Sequence, residues 1–597
     1  MLLPNGLLRP RVLVLALWIT AVLIWLTFIG PPAELPFSET RHRLIGAAFN
    51  LATGPRPVSL KEHPIKALHR QAEIEFEELL ARQSKTFKAA ASEYLRRYHR
   101  HPPPGFKGWY EFAVKHNSPI IDEFDIIDES LAPFWNLSGV EVRRRLAGVR
   151  ESNGPFLQHC ESVGGQLSDG CQALGPELLP WLEEAGVWSL LPLGWGLMIS
   201  DMDEPRILPS NGVDAAAEGD GFAAGDEKVV WTEQSHMRVC DNFTAACDFG
   251  SDSAKSKTSV SSAMANAKKS QEDLTLGFFD AGNPNTRDLC QHPEYSRLHG
   301  LWASPASLYT IRTPVPIFSA AVLSTMGDIP VPAPAYTNGK FAYDEFDDLA
   351  WENKTAGVYW AGSTTGSFQS VAHQDWKRHH RQRFVALVNE LGADRRYTYL
   401  ARSASASPGH HDADDVVDGD GTTTTTAAAA AWQVRKSSAL KASLYRVHFT
   451  GIVQCADDAT ETAIREYFPM HGQDPKNEPF RYTLAFDLDG NGHSGRFYRL
   501  LSSRSLPLKQ TVFKEWHDER LKPWLHYAPV SLGMEELPEV VRYLADEAEG
   551  REVAALMAEE GRRWSGRALR PVDQAVYLFR LLLELGRLQD EGRVAAG

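Results

Sequence analysis

The first strong pattern along the chain is an uninterrupted apolar run near its start. Residues 12–29 form eighteen consecutive positions without a charged side chain, and Arg9 and Arg11 precede them. A helix of this length can just cross a bilayer core of about 30 Å, and the arginines favour a cytoplasmic amino end. We therefore predict a cytoplasmic tail over residues 1–11, a transmembrane signal anchor over residues 12–30 and a luminal location for the rest of the chain. A cleaved signal peptide is the alternative, although Gly30 and the prolines after it make a poor cleavage site.

A helical period comes next, after a proline-rich stretch. Apolar residues recur at spacings of three and four over residues 65–79. This period predicts one long amphipathic helix from Ile65 to about Tyr98, and the prolines and glycine of residues 101–105 end it. We assign residues 31–105 to a stem that contains this helix. Its apolar face is expected to pack on the body of the protein rather than on a partner helix.

Short apolar runs then mix with helical periods, which is typical of an α/β fold. We place two domains at residues 106–340 and 341–535, and C-terminal helices at residues 536–597. Residues 402–432 are low in complexity, with acidic, threonine and alanine runs, and are predicted to be a disordered surface insertion. Two domains also fit the length of 597 residues, which exceeds what one hydrophobic core usually organises.

Charge and cysteine content narrow the functional classes. The net charge of -14 argues against general affinity for nucleic acid or anionic membrane surfaces, so any phosphate site has to be local. Six cysteines and glycosylation sequons at Asn136, Asn242 and Asn353 fit an oxidising, glycosylating compartment. No cysteine pair has the spacing of a zinc site, and Cys160 with Cys171 is a plausible local disulfide. A second bridge is open to three cysteines close together in sequence, Cys240, Cys247 and Cys290.

The most informative block of the chain spans residues 486–530. An apolar run enters a loop that holds Gly490, Gly492 and Gly495, and a helical stretch begins at Arg496. Backbone N–H groups at a helix start are unpaired, glycines let a ligand approach the backbone, and Arg496 adds a forked cation. This arrangement predicts a site for a phosphate or diphosphate.

A second segment delivers carboxylates from an apolar run. Residues 196–200 predict a strand, and Asp201, Asp203 and Glu204 come after it before Pro205 ends regular structure. Open α/β sheets bind ligands at the carboxyl ends of their strands, where a carboxylate can act as a general base. The alternative is an ordinary polar turn before a proline.

A third segment combines small hydroxyl residues with basic ones. Residues 358–366 place serine and threonine between Gly362 and Gly366, and their hydroxyls can bind phosphate oxygens. The basic run over residues 377–383 either neutralises a phosphate or forms the solvated face of a helix. Neither a Walker A nor a GxGxxG motif is present.

Two possible metal-binding motifs overlap the glycine loop. Asp487, Asp489 and Asn491 imitate the start of a calcium loop, but the twelfth position is Tyr498 rather than glutamate, so we reject an EF-hand. Asp487 and Asp489 also imitate the Asp-x-Asp by which some sugar transferases hold a metal. The adjacent glycine loop and Arg496 offer a metal-free way to stabilise a diphosphate. Because no Ser/His/Asp set is recognisable, hydrolase chemistry has little support.

These motifs together resemble glycosyltransferase family 90, the capsule-associated-protein type that includes the protein O-glucosyltransferases. The resemblance runs from about Trp109 to the C-terminal helices. Its motifs, in order, are SDMDEPRILP (200–209), VYWAGSTTG with HRQRF (358–384), and FDLDGNGHSGRFYRLL, LKQT, EW and KPWLHYAPV (486–530). It implies a GT-B fold with two Rossmann-like domains facing a cleft, a UDP-sugar donor, inversion at the anomeric carbon, and a single-pass type II protein of the Golgi or endoplasmic reticulum membrane.

The resemblance also implies roles for single residues. Asp203 matches the family's catalytic base. The residues implied to bind the donor are Gly362, Ser363, Thr364, Arg381, Ser494, Arg496 and Glu515. The O-glucosyltransferase branch lacks the acidic pair at Asp487 and Asp489, so no metal is expected, and the UDP-sugar is a co-substrate rather than a resident cofactor.

We therefore expect an inverting glycosyltransferase that moves a sugar, xylose or glucose, from a UDP-sugar to a hydroxyl of a glycan or glycoprotein. One rival is a non-catalytic glycan-binding or scaffold protein of the same fold. Another is a secreted polysaccharide hydrolase, which would need two suitably spaced carboxylates.

Overall fold

The computed structural model describes residues 62–164, 166–208, 229–239, 279, 284–312, 314–372, 374–391, 395–402 and 432–594, all within a compact unit that spans Ser59–Gly597. The predicted tail and anchor over residues 1–30 lie outside the described residues, as does all but the two end residues of the predicted insertion. Among the helices of the described ranges, none is both long and apolar enough to cross a membrane.

Two helices replace the single long helix expected from Ile65 to Tyr98. Helix α1 spans Pro64–Ala81 and α2 spans Phe87–Tyr98. Between them the Ser84 N–H donates to Asp122 Oδ2 (2.6 Å), and the Thr86 side chain caps the second helix by accepting from Ala89 N (3.2 Å). Helix α1 packs on the body, because Phe76 meets the Trp564 ring edge-on at 4.8 Å.

The amino-terminal half combines helices with a mixed sheet. Its helices are α3 (Phe106–Lys115), α4 (Asp125–Leu131), α5 (Gly139–Glu151), α6 (Leu179–Glu184) and α7 (Gly300–Ala303). Its strands are β1 (Leu157–Val163), β2 (Gln166–Leu167), β3 (Gly196–Ser200), β4 (Thr232–Glu233), β5 (Tyr309–Thr310), β6 (Ile317–Ser319) and β7 (Ile329–Pro330). The sheet order is β2-β1-β3-β6-β7, with β3, β6 and β7 parallel and β1 antiparallel to β3; β4 and β5 form a separate antiparallel pair.

The carboxyl-terminal half is built on a fully parallel five-stranded sheet. The order is β11 (Tyr445–Gly451), β8 (Thr355–Ser363), β12 (Tyr482–Leu488), β13 (Leu506–Gln510) and β14 (Ala528–Pro529). Strands β9 (Tyr397–Arg402) and β10 (Trp432–Ser437) form an antiparallel pair. Helices α8 (His380–Val388), α9 (Asp458–Tyr467) and α10 (Phe497–Leu501) complete this half. Buried strands of a parallel sheet read as apolar runs, which explains why the sequence shows them clearly.

The α8 helix seals one face of this sheet through an aromatic cluster. Phe384 meets Trp360 of β8 edge-on at 5.9 Å and Phe486 of β12 edge-on at 4.6 Å. All three rings are buried. Burying such side chains contributes about 2–3 kcal/mol each. The cluster therefore holds β8 and β12 in a fixed position relative to α8.

The three C-terminal helices serve both halves. They are α11 (Leu537–Asp546), α12 (Ala548–Ala568) and α13 (Pro571–Leu588). In α11, Arg542 Nη2 donates to Leu400 O of β9 (2.7 Å). Helix α13 is buried along nearly its whole length, and Val576 O accepts a hydrogen bond from Trp109 Nε1 (3.0 Å) of the amino-terminal half.

The predicted local disulfide is present. Cys160 of β1 is bonded to Cys171, and their Cα atoms lie 4.4 Å apart. Cys290 is disulfide-bonded as well, whereas Cys455 carries a free thiol. Disulfides persist in oxidising compartments, so this chemistry fits the expected luminal location.

Candidate active site

The turn after β3 carries the predicted base. Asp203 is exposed, whereas the residues after it, from Glu204 to Leu208, are buried. Arg206 Nε donates to Ser200 Oγ (3.0 Å) at the end of the strand. The buried Asp328 carboxylate accepts from the backbone N–H groups of Arg206 (2.8 Å) and Ile207 (2.7 Å). The turn is therefore fixed by buried hydrogen bonds while the carboxylates of Asp201 and Asp203 face solvent.

The glycine loop after β12 touches this turn. A Cβ atom added to Gly492 would lie 2.1 Å from Asp203 O and 2.8 Å from Asp203 Cβ. Real side chains do not approach backbone so closely, so only glycine permits this contact. The carboxyl ends of β3 and β12 thus bring the predicted base of one half against the predicted anion loop of the other.

A helix begins after this loop where the sequence predicted it. Helix α10 has five residues, Phe497–Leu501, and Arg496 is its N-cap residue. Among the described residues, the Arg496 guanidinium donates one hydrogen bond, from Nη1 to Ala361 O of β8 (2.9 Å). A guanidinium has five N–H groups, so Arg496 retains most of its capacity to bind an anion.

Arg381 is the second cation of the site. Its side chain is buried at the start of α8, with Nε donating to Asp489 O (2.7 Å) and Nη1 donating to Ser363 O (3.1 Å). Burial lowers the pKa of the Arg381 guanidinium to about 9, and the charge of nearby Arg496 acts in the same direction. The two positive charges repel each other, and a bound anion would relieve this repulsion, so the pair favours anion binding.

The solvated-face alternative for the basic run is wrong. His379, His380, Arg381 and Gln382 are buried, and of residues 377–382 only Lys377 and Arg378 are exposed. The His380 ring stacks on His299 with centroids 4.0 Å apart, and its Nε2 lies 2.9 Å from Asp489 O. The buried residues of this run therefore pack against the glycine loop and hold it in place.

The loop after β8 supplies the predicted hydroxyls. Gly362 and Ser363 are the last residues of that strand, and the Ser363 hydroxyl bonds to the Thr365 hydroxyl. Thr364 is fully buried; its hydroxyl donates to Val453 O (3.0 Å) and accepts from Val453 N (2.9 Å). Because that hydroxyl bonds to the backbone of Val453, Thr364 stabilises the loop and has no free hydroxyl to bind a sugar donor.

The hydroxyl loop is tied directly to the glycine loop. Asn491 Oδ1 accepts from Gly366 N (3.0 Å) and from Gln454 Nε2 (3.1 Å). The loops after β8 and β12 consequently form one surface, with Ser363, Arg381 and Arg496 around it.

A buried polar network supports Ser494. Its hydroxyl donates to Asp487 Oδ1 (2.5 Å), and Lys509 Nζ lies 3.4 Å from Asp487 Oδ2 and 3.2 Å from Glu515 Oε1. Glu515 also accepts a hydrogen bond from the Tyr336 hydroxyl. Burial raises the pKa of Glu515, but the charges of Lys509 and of two histidines, together with the Tyr336 hydrogen bond, outweigh burial and lower the pKa to about 2. Glu515 is thus an ionised, fully buried member of this network rather than an open donor-binding carboxylate.

The second carboxylate of the Asp-x-Asp pair is engaged too. Asp489 Oδ2 accepts from Val512 N (2.9 Å) and lies 3.4 Å from His299 Nε2. Within the ranges that the structure describes, no group of three or more His, Cys, Asp and Glu side chains could hold a metal ion. Metal-free donor binding stays a prediction.

Several residues of the site escaped the sequence reasoning. Tyr336, His299 and Asp328 come from the amino-terminal half and have no recognisable motif around them. Lys509 lies in the LKQT motif, and its position at the end of a buried strand was the available signal. A lysine in such a strand needs an acidic partner, and Asp487 and Glu515 were both nearby in sequence.

Glu204 gives the first testable consequence of this arrangement. It is 1% exposed, and Ser307 Oγ donates to its Oε1 (2.9 Å). Burial raises the pKa of Glu204 to about 7. Because the folded-state pKa is raised, this group's contribution to stability is complete below pH 4.5 and is lost as the pH rises towards 7.

We expect Glu204→Gln to lack this loss. Its free energy of unfolding should exceed that of the wild type by up to about 3 kcal/mol at pH 8 and by much less at pH 4.5. Chemical denaturation at both pH values measures the difference, with the exposed Glu233→Gln as the control. A gain of equal size at both pH values would contradict the assignment.

Comparison with known proteins adds an independent finding. Residues 428–593 match the family model described as Glycosyl transferase family 90. The O-glucosyltransferase rumi homolog of Aedes aegypti is 34% identical over 113 residues, which cover 18% of this chain and 27% of that protein. Protein O-glucosyltransferase 3 of Mus musculus is 31% identical over 111 residues, covering 18% of this chain and 22% of that protein.

These matches cover a defined part of the site. The chain spans about a quarter of the length of the curated relatives it matches. Ser494, Arg496 and Glu515 lie inside residues 428–593, whereas Asp203, Ser363 and Arg381 lie outside and rest on the contacts between the loops. The resemblance drawn from the motifs is confirmed over residues 428–593, which match the model of glycosyltransferase family 90 and contain the motifs of residues 486–530, whereas the motifs at 200–209 and 358–384 lie outside this match.

Proposed function

We propose that this protein is an inverting glycosyltransferase that moves a sugar from a UDP-sugar to a hydroxyl of a glycan or glycoprotein acceptor. The observation that carries the proposal is the close approach of the Asp203 backbone and Cβ to Gly492, which supports a shared site for the exposed Asp203 and the predicted anion loop. The mosquito and mouse relatives are both named O-glucosyltransferases, which supports glucose as the sugar. Xylose is the other candidate, from the family resemblance.

The surface formed by the loops after β8 and β12, with Arg381 and Arg496 around it, binds the diphosphate of the UDP-sugar. Arg496 and Arg381 stabilise its negative charge, and Gly362, Ser363 and the Gly490–Gly495 loop let its oxygens approach the backbone. Ser494 is positioned by Asp487 and the Lys509 ion pair. Glu515 acts through Lys509 rather than by touching the sugar. The two halves then correspond to a GT-B architecture with the reaction in the cleft between them.

The chemistry is a single displacement. The Asp203 carboxylate takes the proton of the acceptor hydroxyl as its oxygen forms a bond to the anomeric carbon. The bond between that carbon and the β-phosphate oxygen breaks on the opposite face, and its electron pair leaves with UDP. Arg496 and Arg381 stabilise the charge that develops on the leaving group, and one such donor is typically worth about 3 kcal/mol in the barrier.

Donor binding without a metal is part of this proposal. Asp487 is bonded to Ser494 and paired with Lys509, and Asp489 is bonded to Val512 N, so protein groups already engage both carboxylates. Transfer should therefore survive EDTA. Activity that EDTA abolishes and manganese restores would contradict this point.

A secretory location belongs to the proposal as well. The Cys160–Cys171 disulfide fits an oxidising lumen, and the predicted anchor would hold the protein in a Golgi or endoplasmic reticulum membrane. Glycoprotein or glycan acceptors are present in the same compartment.

The experiment is a panel of nucleotide sugars that includes UDP-glucose and UDP-xylose, with UDP release measured with and without acceptors. We expect one UDP-sugar to be turned over. Arg496→Gln should lower kcat/KM about 100-fold, as expected for a lost charge contact in the transition state. Arg481→Gln, an exposed arginine just before β12, is the matched control. No UDP binding at millimolar concentration would overturn the proposal and favour a non-catalytic glycan-binding protein.

A further inference from the structure

A cavity beside the candidate active site lies between the two halves. It has a volume of about 640 Å³, which is within the range of small-molecule sites. Its walls come from α4, from residues 287–288 and 322–328 of the amino-terminal half, and from residues 512–519 of the other half. Asp203, Arg381 and Arg496 are not among the residues that line it.

The cations of the cavity wall are already paired. Lys514 Nζ lies 2.6 Å from Glu129 Oε2, and Arg287 Nη2 lies 3.1 Å from Asp518 Oδ2. Arg287 Nη1 also donates to Phe513 O (2.7 Å). An anionic ligand would have to displace these partners, so the cavity is a poor place for a phosphate or a nucleotide.

Polar atoms on the same wall remain open to a ligand. Asp288 Oδ1 accepts from Ser324 Oγ (2.8 Å) and Cys290 N (3.0 Å), and within the part of the chain that the structure describes Oδ2 is left for another donor. Glu519 Oε1 accepts from Ile126 N (2.8 Å). Among the described residues, the buried Glu519 Oε2 has no hydrogen-bond partner. Burial raises the pKa of Glu519 to about 8, so the carboxyl is neutral at neutral pH. A buried polar atom without a partner is costly, so a ligand whose hydroxyl exchanges a hydrogen bond with Oε2 is favoured.

The rest of the lining is apolar. Val322, Leu323, Met326, Val512 and Phe513 contribute to it. Polar groups beside an apolar wall match a ligand that forms several hydrogen bonds and also has a C–H surface. A neutral sugar has both features, since its hydroxyls donate and its ring faces are apolar.

We propose that this cavity binds a neutral sugar unit of a glycan acceptor, at a distance from the sugar or residue that is glycosylated. Naming the ligand an acceptor rests on the proposed function. Asp328 lines the cavity and also fixes Arg206 N and Ile207 N after the Asp203 turn. Val512 lines it too, and its N–H holds Asp489 in the glycine loop. The cavity wall is thus continuous with both sides of the reaction site.

The test is binding of the purified full-length chain to an array of neutral, anionic and amino-sugar oligosaccharides, with no nucleotide sugar present. We expect retention of at least one neutral oligosaccharide by the wild type and by Asp203→Asn. Ser324→Trp, which introduces an indole ring at the cavity wall, should weaken that binding at least 10-fold. Ser189→Trp, at a solvent-exposed serine outside the cavity, should leave it unchanged. Folding of each variant is checked by its unfolding transition.

Three results would overturn the inference: no retention of neutral oligosaccharides, retention that Ser324→Trp does not weaken, or retention of anionic or amino sugars alone. The outcome is independent of the proposed transfer reaction. Glycan binding without UDP-sugar turnover would contradict the proposed function but support the proposed sugar site. Turnover without glycan binding would support the proposed function but contradict the sugar site.

Discussion

Asp203→Asn is expected to reduce sugar transfer by about 10²–10⁴-fold, the usual contribution of a general base. The amide cannot take the acceptor proton, yet it fills the same space on an exposed turn. UDP affinity should stay within about twofold, because the donor contacts come from the other half of the protein. Transfer rates and UDP binding are measured on the same preparation.

Asp201→Asn is the matched control for this variant. Asp201 is an exposed aspartate two residues earlier on the same turn, and its Oδ2 bonds to Gln158 Nε2. Its loss should leave transfer close to the wild-type rate. If Asp203→Asn kept full activity, or if both variants lost it equally, Asp203 would not be the base.

Gly492→Ala is the second prediction with a large effect. The added methyl group would lie 2.1 Å from Asp203 O, so the turn and the loop have to move apart. A displacement of about 1 Å at a reacting centre can cost about 100-fold in rate. We expect a loss of kcat of that order and a destabilisation of about 1–3 kcal/mol from overpacking.

Gly490→Ala separates this clash from a general effect on the loop. A Cβ at Gly490 would meet its nearest neighbour, Arg381 Nη2, at 3.6 Å, which is ordinary van der Waals contact. Neither glycine has a positive φ angle, so backbone strain does not distinguish the two substitutions. Similar activity of both variants would show that the contact between Gly492 and Asp203 does not position the base.

The local parts of the site could be predicted because apolar runs mark the strands. Residues 196–200, the run at 358–360 and residues 482–486 all lie in the expected strands, and polar groups come after each one. The disulfide between Cys160 and Cys171 could be expected from their closeness in sequence. Such features depend on neighbours along the chain, so a single sequence contains them.

Contacts between distant residues could not be predicted. Nothing near Asp203 indicates that Gly492 is its neighbour, and nothing near Glu515 indicates that Lys509 and Tyr336 bury it. The basic run was ambiguous because a helix with arginines can face solvent or a buried carbonyl, and only the glycine loop packed on Arg381 decides this. The interruption between α1 and α2 had a signal, since Thr86 is a typical N-cap residue.

The strand that leads to Asp203 depends on contacts with the end of the chain, at and just after helix α13. Just after α13, the Gln589 side chain donates from Nε2 to Gly196 O (2.8 Å) and accepts from Gly196 N (3.1 Å), at the start of the strand that ends beside Asp203. Tyr577 of the same helix donates to Pro330 O (2.8 Å). During synthesis, the half that emerges first from the ribosome therefore cannot finish its core until residues 571–589 have been translated. Domains usually fold in the order of their synthesis; here a nascent chain has to wait, with apolar surface open to chaperones.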